Sequence, residues 1–357
     1  MSIFEQLTSY DHEQVVFCRD DSVGLKAIIA IHNTSLGPAL GGTRMLDYPT
    51  EQEAVRDVLR LSRGMTYKAA VAGLDLGGGK AVIVGDPSMK TEAMFRAFGR
   101  FVDTLGGRYI TAEDMNTTVE DMGNIRRETR WVTGSEAAHG GSGDPSPVTA
   151  WGVFHGIRAS LEVTYGSPDV SGRTVAIQGV GNVGYWLAKF LHEAGAKLLY
   201  TDVSNKRLAR VVESFGGRVL EGDDFYRAEA DVLAPCAIGG IINPRTIPML
   251  RASIIAGGAN NQLDDEKRDG EALSEKSINY APDYVINAGG LINVYSELKA
   301  YGREKAMQDA ANIFDTVKRV INKAKVEGTT TAMSANRVAE ERIAAVHRLK
   351  RVYLPRS

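Results

Sequence analysis

Apolar residues recur along this chain with two periods that alternate. Behind Thr50-Glu51-Gln52-Glu53, the residues Ala54, Val58 and Leu61, flanked by Val55 and Leu59, form a stripe at helical spacing. The threonine and Glu53 predict a capping box, in which the hydroxyl accepts from the third helical N–H while the glutamate reaches back. That helix should end near Gly73. Thr91 opens another, with Met94, Phe95, Phe98 and Val102 turned inward. Between such segments lie short β-rich runs at 24–31 (GLKAIIAI), 81–84, 108–111, 174–178 and 197–201. Residues 36–42 (LGPALGG) read as a loop, and Gly77-Gly78-Gly79-Lys80 as a glycine-rich turn into the strand at 81–84. Helices are expected at 148–161 and 183–193, and long amphipathic ones near 303–327 and 333–350. The stretch 134–147 (GSEAAHGGSGDPSP) is the best linker candidate. Strands alternating with helices predict an α/β chain in two domains. One is an N-terminal α/β domain with a mixed sheet, over 1–145 and completed by about 330–357; the other is a Rossmann-like domain over 146–329.

Composition narrows the function classes. Among 357 residues, 42 basic side chains face 44 acidic ones, so no global charge favours nucleic acid or an anionic membrane. Two cysteines, Cys18 and Cys236, make neither a disulfide framework nor a zinc site, as suits a reducing cytoplasm. Met1-Ser2-Ile3-Phe4-Glu5 lacks a basic region followed by an apolar stretch, and no apolar run approaches the ~18 residues that span a bilayer. A cytoplasmic protein is expected. The six histidines show no metal-ligand spacing, so no metal is expected.

Gly179-Val180-Gly181-Asn182-Val183-Gly184 matches G-x-G-x-x-G between a β-branched strand and an amphipathic helix, and Asp202 ends the next strand. The first glycine permits the tight turn, the second lets a pyrophosphate approach the backbone, and the third packs helix against strand. The helix N-terminus supplies unpaired N–H donors. Asp202 suits ribose hydroxyls and would repel a 2′-phosphate, which favours NAD; Arg207 follows close behind and is placed at the cofactor too.

Lys80 follows three glycines and opens an apolar strand, so it is a candidate for burial. Burial penalises the ammonium form and would let a neutral amine act as a general base. Asp114 lies just beyond the strand at 108–111, where α/β folds hold ligands, although capping of the next helix explains it equally well. Three segments pair small residues with amides: Ala234-Pro235-Cys236-Ala237, Ala256-Gly257-Gly258-Ala259-Asn260-Asn261 and Asn287-Ala288-Gly289-Gly290. Small residues admit a flat ligand, which places Cys236, Ala237, Ala259 and Asn260 at the dinucleotide; Cys236 itself reads as packing rather than nucleophile.

Five motifs then carry a resemblance over nearly the whole chain. They are Gly37-Pro38-Ala39-Leu40-Gly41-Gly42-Thr43-Arg44, Gly64-Met65-Thr66-Tyr67-Lys68, Gly77-Gly78-Gly79-Lys80, the 179–184 fingerprint and Ala281-Pro282-Asp283-Tyr284-Val285-Ile286-Asn287-Ala288-Gly289-Gly290. In this order they resemble the amino-acid dehydrogenases acting on glutamate, leucine, phenylalanine and valine. The resemblance implies reversible oxidative deamination of an L-amino acid with NAD to a 2-oxo acid and ammonium. It implies Lys80 as the group that activates water, Asp114 as the carboxylate at the amino group, and Lys68 on the substrate carboxylate. Met65, Gly41 and Gly42 would line the substrate pocket. Asn260 would help hold the carboxylate beside the nicotinamide, and Thr149 would meet the carboxamide. Family members are typically homo-oligomers, which suggests an octamer or a dimer.

One departure bears on the substrate. Glutamate-specific members carry a lysine for the γ-carboxylate where this chain has Leu40. A desolvated carboxylate without partner costs several kcal/mol, so glutamate should be rejected. A wall of Leu40, Ala112, Leu291 and Val294 would accept leucine, valine or isoleucine, with phenylalanine or tryptophan as the alternative. A non-catalytic NAD-binding sensor is the rival of another class; a sensor needs no base.

Overall fold

The structure is a computed structural model that describes residues 3–134, 143–299 and 302–349. The described residues of Met1–Gly143, Val294–Tyr301 and Ala339–Ser357 form one compact unit, and those of Asp144–Asn293 and Gly302–Val338 another. A division at 145 with a return near 330 differs from this at two places. Gly134 N–H donates to Glu297 Oε2 at 3.0 Å, within the first unit. The start of the last helix is tied into the second by Ser334 Oγ, which donates to the Val320 carbonyl at 2.9 Å.

The first unit is built on a five-stranded mixed sheet in the order β1-β2-β4-β3-β5. Its strands are β1 (Gln14–Asp20), β2 (Leu25–Asn33), β3 (Ala39–Leu46), β4 (Gly77–Val84) and β5 (Tyr109–Glu113). β2 is antiparallel to both β1 and β4, whereas β3 runs parallel to β4 and β5. Around it lie α1 (Ile3–Tyr10), α2 (Glu51–Val71), α3 (Glu92–Thr104) and α4 (Val119–Arg126). Ala54, Val55, Val58 and Leu59 of α2 pack with Ile28, Ala30 and Val82 on one face. Phe95, Phe98 and Val102 of α3 and Met122 and Ile125 of α4 pack with Ile29, Ala81 and Ile83 on the other. Alternation along β4 therefore divides it: Gly78, Lys80 and Val82 face α2, and Gly79, Ala81 and Ile83 face α3.

Local signals set the helix starts. Thr91 caps α3, accepting from Met94 N–H, and Thr50 caps α2, accepting from Glu53 N–H at 3.2 Å. Both halves of a capping box form instead at Thr118 and Asp121, ahead of α4. Two expectations about glycine are corrected. Residues 39–42 are strand, not loop, because Ala39 and Leu40 pair with β4 on one side and Ala39 through Gly42 pair with β5 on the other. Gly77 to Gly79 likewise belong to β4 and are not a turn before it.

The second unit holds a six-stranded sheet in the order β11-β10-β9-β6-β7-β8, every adjacent pair parallel. Its strands are β6 (Thr174–Gln178), β7 (Lys197–Thr201), β8 (Arg218–Val219), β9 (Val232–Pro235), β10 (Ile254–Ile255) and β11 (Asn279–Tyr280). Val175, Ala176 and Ile177 are fully buried, as a parallel strand covered on both faces requires. The helices are α5 (Ser146–Tyr165), α6 (Asn182–Glu193), α7 (Asn205–Phe215), α8 (Glu266–Glu275), α9 (Asp283–Ile286), α10 (Gly289–Glu297), α11 (Arg303–Ala311), α12 (Ile313–Glu327) and α13 (Thr331–Leu349), with α10 and α13 each ending in the first unit. The long helix expected at 303–327 is two, parted at Asn312. Most of the linker candidate, residues 135–142, lies outside the described residues. Strand order reverses beside β6, so the C-terminal end of β6 is the topological switch point of a Rossmann-like sheet. No described helix is long and apolar enough to cross a membrane.

Candidate active site

On the α2 face of the first sheet, β3, β4 and β5 bring two charges together. Lys80 is almost wholly buried, its side chain 4% exposed, and its Nζ bonds Asp114 Oδ2. Asp114 sits one residue past β5 with its side chain 22% exposed, so the pair opens to solvent on the carboxylate side. Gly42 makes the approach possible. A Cβ there would fall 2.5 Å from the Glu113 carbonyl oxygen and 2.8 Å from Asp114 Cβ, in the path of the carboxylate.

The other Asp114 oxygen is fixed as well. Oδ1 accepts from Met115 N–H at 2.7 Å and from Arg44 Nε at 3.1 Å, and Asp114 N–H donates to Thr117 Oγ1 at 2.9 Å. Arg44 Nη1 donates to Asp57 Oδ2 at 3.0 Å, and the Tyr48 hydroxyl donates to that same oxygen at 2.7 Å. Burial pushes the Lys80 amine below its ordinary range; Asp114 opposes this and Arg44 adds to it. Burial would raise the Asp114 carboxyl, but the charges of Lys80 and Arg44 outweigh it and hold the group below the usual carboxylate range. A buried amine beside a fixed carboxylate is a proton-transfer pair, and its environment lowers both members.

The remaining first-unit candidates lie as follows. Leu40 is buried on β3, paired with Gly78 and Ile110, and Ala112 pairs with Gly42. Gly41 is locked on the opposite side: the Tyr109 hydroxyl donates to its carbonyl at 2.7 Å, and a Cβ would overlap the Gly79 carbonyl. Met65 and Lys68 lie half-buried on α2, Lys68 in its last turn. On α10, Val294 is half-buried in the first unit, whereas Leu291, one turn earlier, is buried in the second. The glycines before Lys80 do not leave space for a ligand. A Cβ on Gly77 would overlap the Asn33 carbonyl, one on Gly78 the Thr66 backbone, and one on Gly79 would lie 2.7 Å from the Tyr109 ring. They seat α2 and β5 against the sheet. Arg44, Asp57 and Tyr48 escaped the sequence reading; period-2 alternation through Leu40, Gly42 and Arg44 was the signal, hidden while 39–42 read as loop.

In the second unit, Gly179 has φ +85°, a value that suits glycine. A Cβ on Gly184 would overlap the Gly179 carbonyl, so α6 presses directly on the turn. Gly181, in contrast, has nothing within 4 Å of its missing Cβ. Gly181 precedes α6, whose N-terminus starts at Asn182 and Val183 and carries no side-chain cap. Asp202 Oδ2 accepts from Val180 N–H at 2.8 Å and Oδ1 from Ser204 N–H at 2.8 Å, with Arg207 Nη1 3.8 Å away. Each carboxylate oxygen keeps a lone pair beyond these bonds. An open glycine, an uncapped helix N-terminus and a carboxylate braced at the end of β7 fit a dinucleotide.

Around this loop, Cys236 donates its N–H to Gln178 and its sulfur accepts from Gly258 N–H at 3.4 Å; burial pushes the thiol up to about 12, which makes it inert. Ala237 is exposed beside Gly179, and Ala259 is buried with its N–H on the Pro235 carbonyl. Asn260 is exposed, its Oδ1 accepting from Asn287 Nδ2 at 2.7 Å. Thr149 Oγ1 donates to the Pro145 carbonyl at 3.0 Å and faces Gly290.

Comparison with known proteins places the chain among known families. Residues 12–131 match the family model described as Glu/Leu/Phe/Val dehydrogenase, dimerisation domain. Residues 140–205 and 200–351 match Glutamate/Leucine/Phenylalanine/Valine dehydrogenase. A leucine dehydrogenase of Geobacillus stearothermophilus is 55% identical over 355 residues, 99% of this chain and 96% of that protein. The crystal structure of L-tryptophan dehydrogenase from Nostoc punctiforme superposes with a TM-score of 0.88 at 48% identity, covering 97% of this chain and 99% of that one. A hetero-hexameric glutamate dehydrogenase from Thermus thermophilus shares the fold at 23% identity, with a TM-score of 0.76 over 99% and 96% of the two chains.

Proposed function

Because the chain belongs to the glutamate/leucine/phenylalanine/valine dehydrogenase family, we propose that it oxidatively deaminates apolar L-amino acids, leucine foremost, in the manner of a leucine dehydrogenase. The overall change is L-amino acid, NAD and water to 2-oxo acid, ammonium, NADH and a proton. The observation that carries the reading is the buried Lys80 amine held on Asp114, a base and its partner that a sensor has no use for. The dinucleotide, when bound, accepts hydride from the substrate Cα. The protein's own part is proton handling. Lys80 in its neutral form takes a proton from the water that adds to the imine carbon. Asp114 takes and returns protons at the substrate nitrogen, and Lys68 pairs with the substrate carboxylate. Leu40, with Ala112, offers hydrocarbon where an acidic side chain would need a cation. In the second unit, the turn at Gly179–Gly184 and the N-terminus of α6 hold the pyrophosphate, and Asp202 selects NAD by accepting from the ribose and repelling a 2′-phosphate. Thr149 and Asn260 then serve the carboxamide and the substrate carboxylate.

The family match to a dimerisation domain supports a homo-oligomer, octamer or dimer, and the free Cys18 and Cys236 suit the cytoplasm. A second reading, an aromatic amino acid as preferred substrate, draws on the likeness to L-tryptophan dehydrogenase. A panel of twenty L-amino acids with NAD, read by NADH absorbance, decides between them. Leucine, valine and isoleucine should turn over and glutamate should not, and Leu40→Lys should raise glutamate turnover relative to leucine at least tenfold. Preference for phenylalanine or tryptophan installs the second reading; no oxidation of any amino acid removes both.

A further inference from the structure

We propose that Arg44 is the positioning residue of the Lys80–Asp114 pair: clamped by Asp57 and Tyr48, its guanidinium holds Asp114 Oδ1 so that Oδ2 stays on the amine. The inference rests on the reading of Lys80 as the base. Two donors of fixed spacing carry it. Arg44 spends Nε on Asp114 and Nη1 on Asp57, a planar fork that a lysine cannot reproduce. Its side chain is 15% exposed and that of Asp57 17%, so both charges act in a partly dry environment where a counter-ion matters. Asp57 is itself held by Tyr48 and by Arg60 Nη2 at 3.2 Å. Charge alternates along the whole row: Lys80, Asp114, Arg44, Asp57, Arg60.

Other elements packed against β4 add little that would replace this device. β2 places Ala30 opposite Lys80 and brings no charge there; β5 brings the buried Tyr109 phenol, kept neutral by burial; α2 brings Asp57, Arg60 and Lys68. The two members of the clamp act on Lys80 in opposite senses, since the Arg44 charge disfavours the ammonium and the Asp57 charge favours it.

The test is the pH dependence of kcat/KM for oxidative deamination of leucine, in which the rising limb reports loss of the Lys80 proton. Arg44→Gln should move that limb to higher pH by about 0.5–1 unit, and Asp57→Asn should move it to lower pH. Arg44→Lys should leave the limb in place while kcat falls about tenfold and KM changes little, because charge is kept and the fork is lost. Thermal midpoints identify variants that fail to fold; if Arg44→Gln is one, the direction of the Asp57→Asn shift decides. A limb that stays put in Arg44→Gln and Asp57→Asn, or an Arg44→Lys enzyme with normal kcat, overturns the inference while leaving the base intact. A wild-type enzyme that oxidises no amino acid overturns the underlying reading instead.

Discussion

Each unit carries a cluster of glycines at the end of a sheet, and the two clusters do different physical work. In the first unit, Gly41, Gly42, Gly77, Gly78 and Gly79 have their side-chain space occupied by protein: a carbonyl of β4, the Asp114 side chain, the backbone of α2, the Tyr109 ring. In the second, Gly179 and Gly184 are filled in the same way, but Gly181 faces open space at the mouth of an uncapped helix. A glycine-rich run therefore says only that backbones come close. Whether the approaching partner is a ligand or the chain itself depends on what the fold packs there. The Lys80 site owes its geometry to the second case, since its glycines bring β3, β4 and β5 near enough for a carboxylate just past the end of one strand to reach an amine on another.

This contrast is broken most severely at Gly41. A methyl group there meets the Gly79 carbonyl, which is backbone and cannot rotate away. Gly41→Ala should cost well beyond the ~1–3 kcal/mol of ordinary overpacking and abolish folding of the first unit. A folded variant with a normal thermal midpoint would show that β3 and β4 can part. At Gly42 the conflict is with Asp114 as well as with backbone, so Gly42→Ala should fold less stably and lose activity about a hundredfold or more while NADH still binds the second unit. Full kcat in that variant would mean that the Lys80–Asp114 contact does not depend on the missing side chain.

Gly181→Ala sharpens the comparison from the other side. Its φ of −68° is ordinary for any residue and no atom stands in the way, so the thermal midpoint should not move. Affinity for NADH, measured by fluorescence titration, should fall at least tenfold because the methyl group occupies the approach of the pyrophosphate. Unchanged affinity would place the phosphates elsewhere.

How much of this was legible in the sequence follows the same division. The second unit announces itself locally: β-branched strand, fingerprint, amphipathic helix and Asp202 lie within 30 residues, and each signal is short-range. The helices capped by Thr50 and Thr91 were equally plain, because a cap is a contact over three residues. β3 was not. Gly, Pro and Ala at 37–42 have the composition of a loop, and only pairing with β4 and β5, some 40 and 70 residues later in the chain, makes them strand. Arg44 was lost with it, since its side-chain direction follows from the strand. Lys80 was legible from its apolar strand, which predicts burial, and the glycines that precede it serve packing.

The smallest effect tests whether any glycine of the first unit is free of this duty. Gly64 lies inside α2, one turn before Lys68, and nothing stands within 4 Å of its missing Cβ. Glycine within a helix is about 0.5–1 kcal/mol less favourable than alanine, chiefly because the unfolded chain has more freedom to lose. Gly64→Ala should therefore raise the thermal midpoint by a few degrees and leave kcat for leucine unchanged. A loss of activity with that gain in stability would mean that the Gly64 surface approaches substrate. The open glycine of α2 would then resemble Gly181 rather than its neighbours on β3 and β4, and the line between the two kinds of glycine would have to be drawn by position in the site instead of by unit.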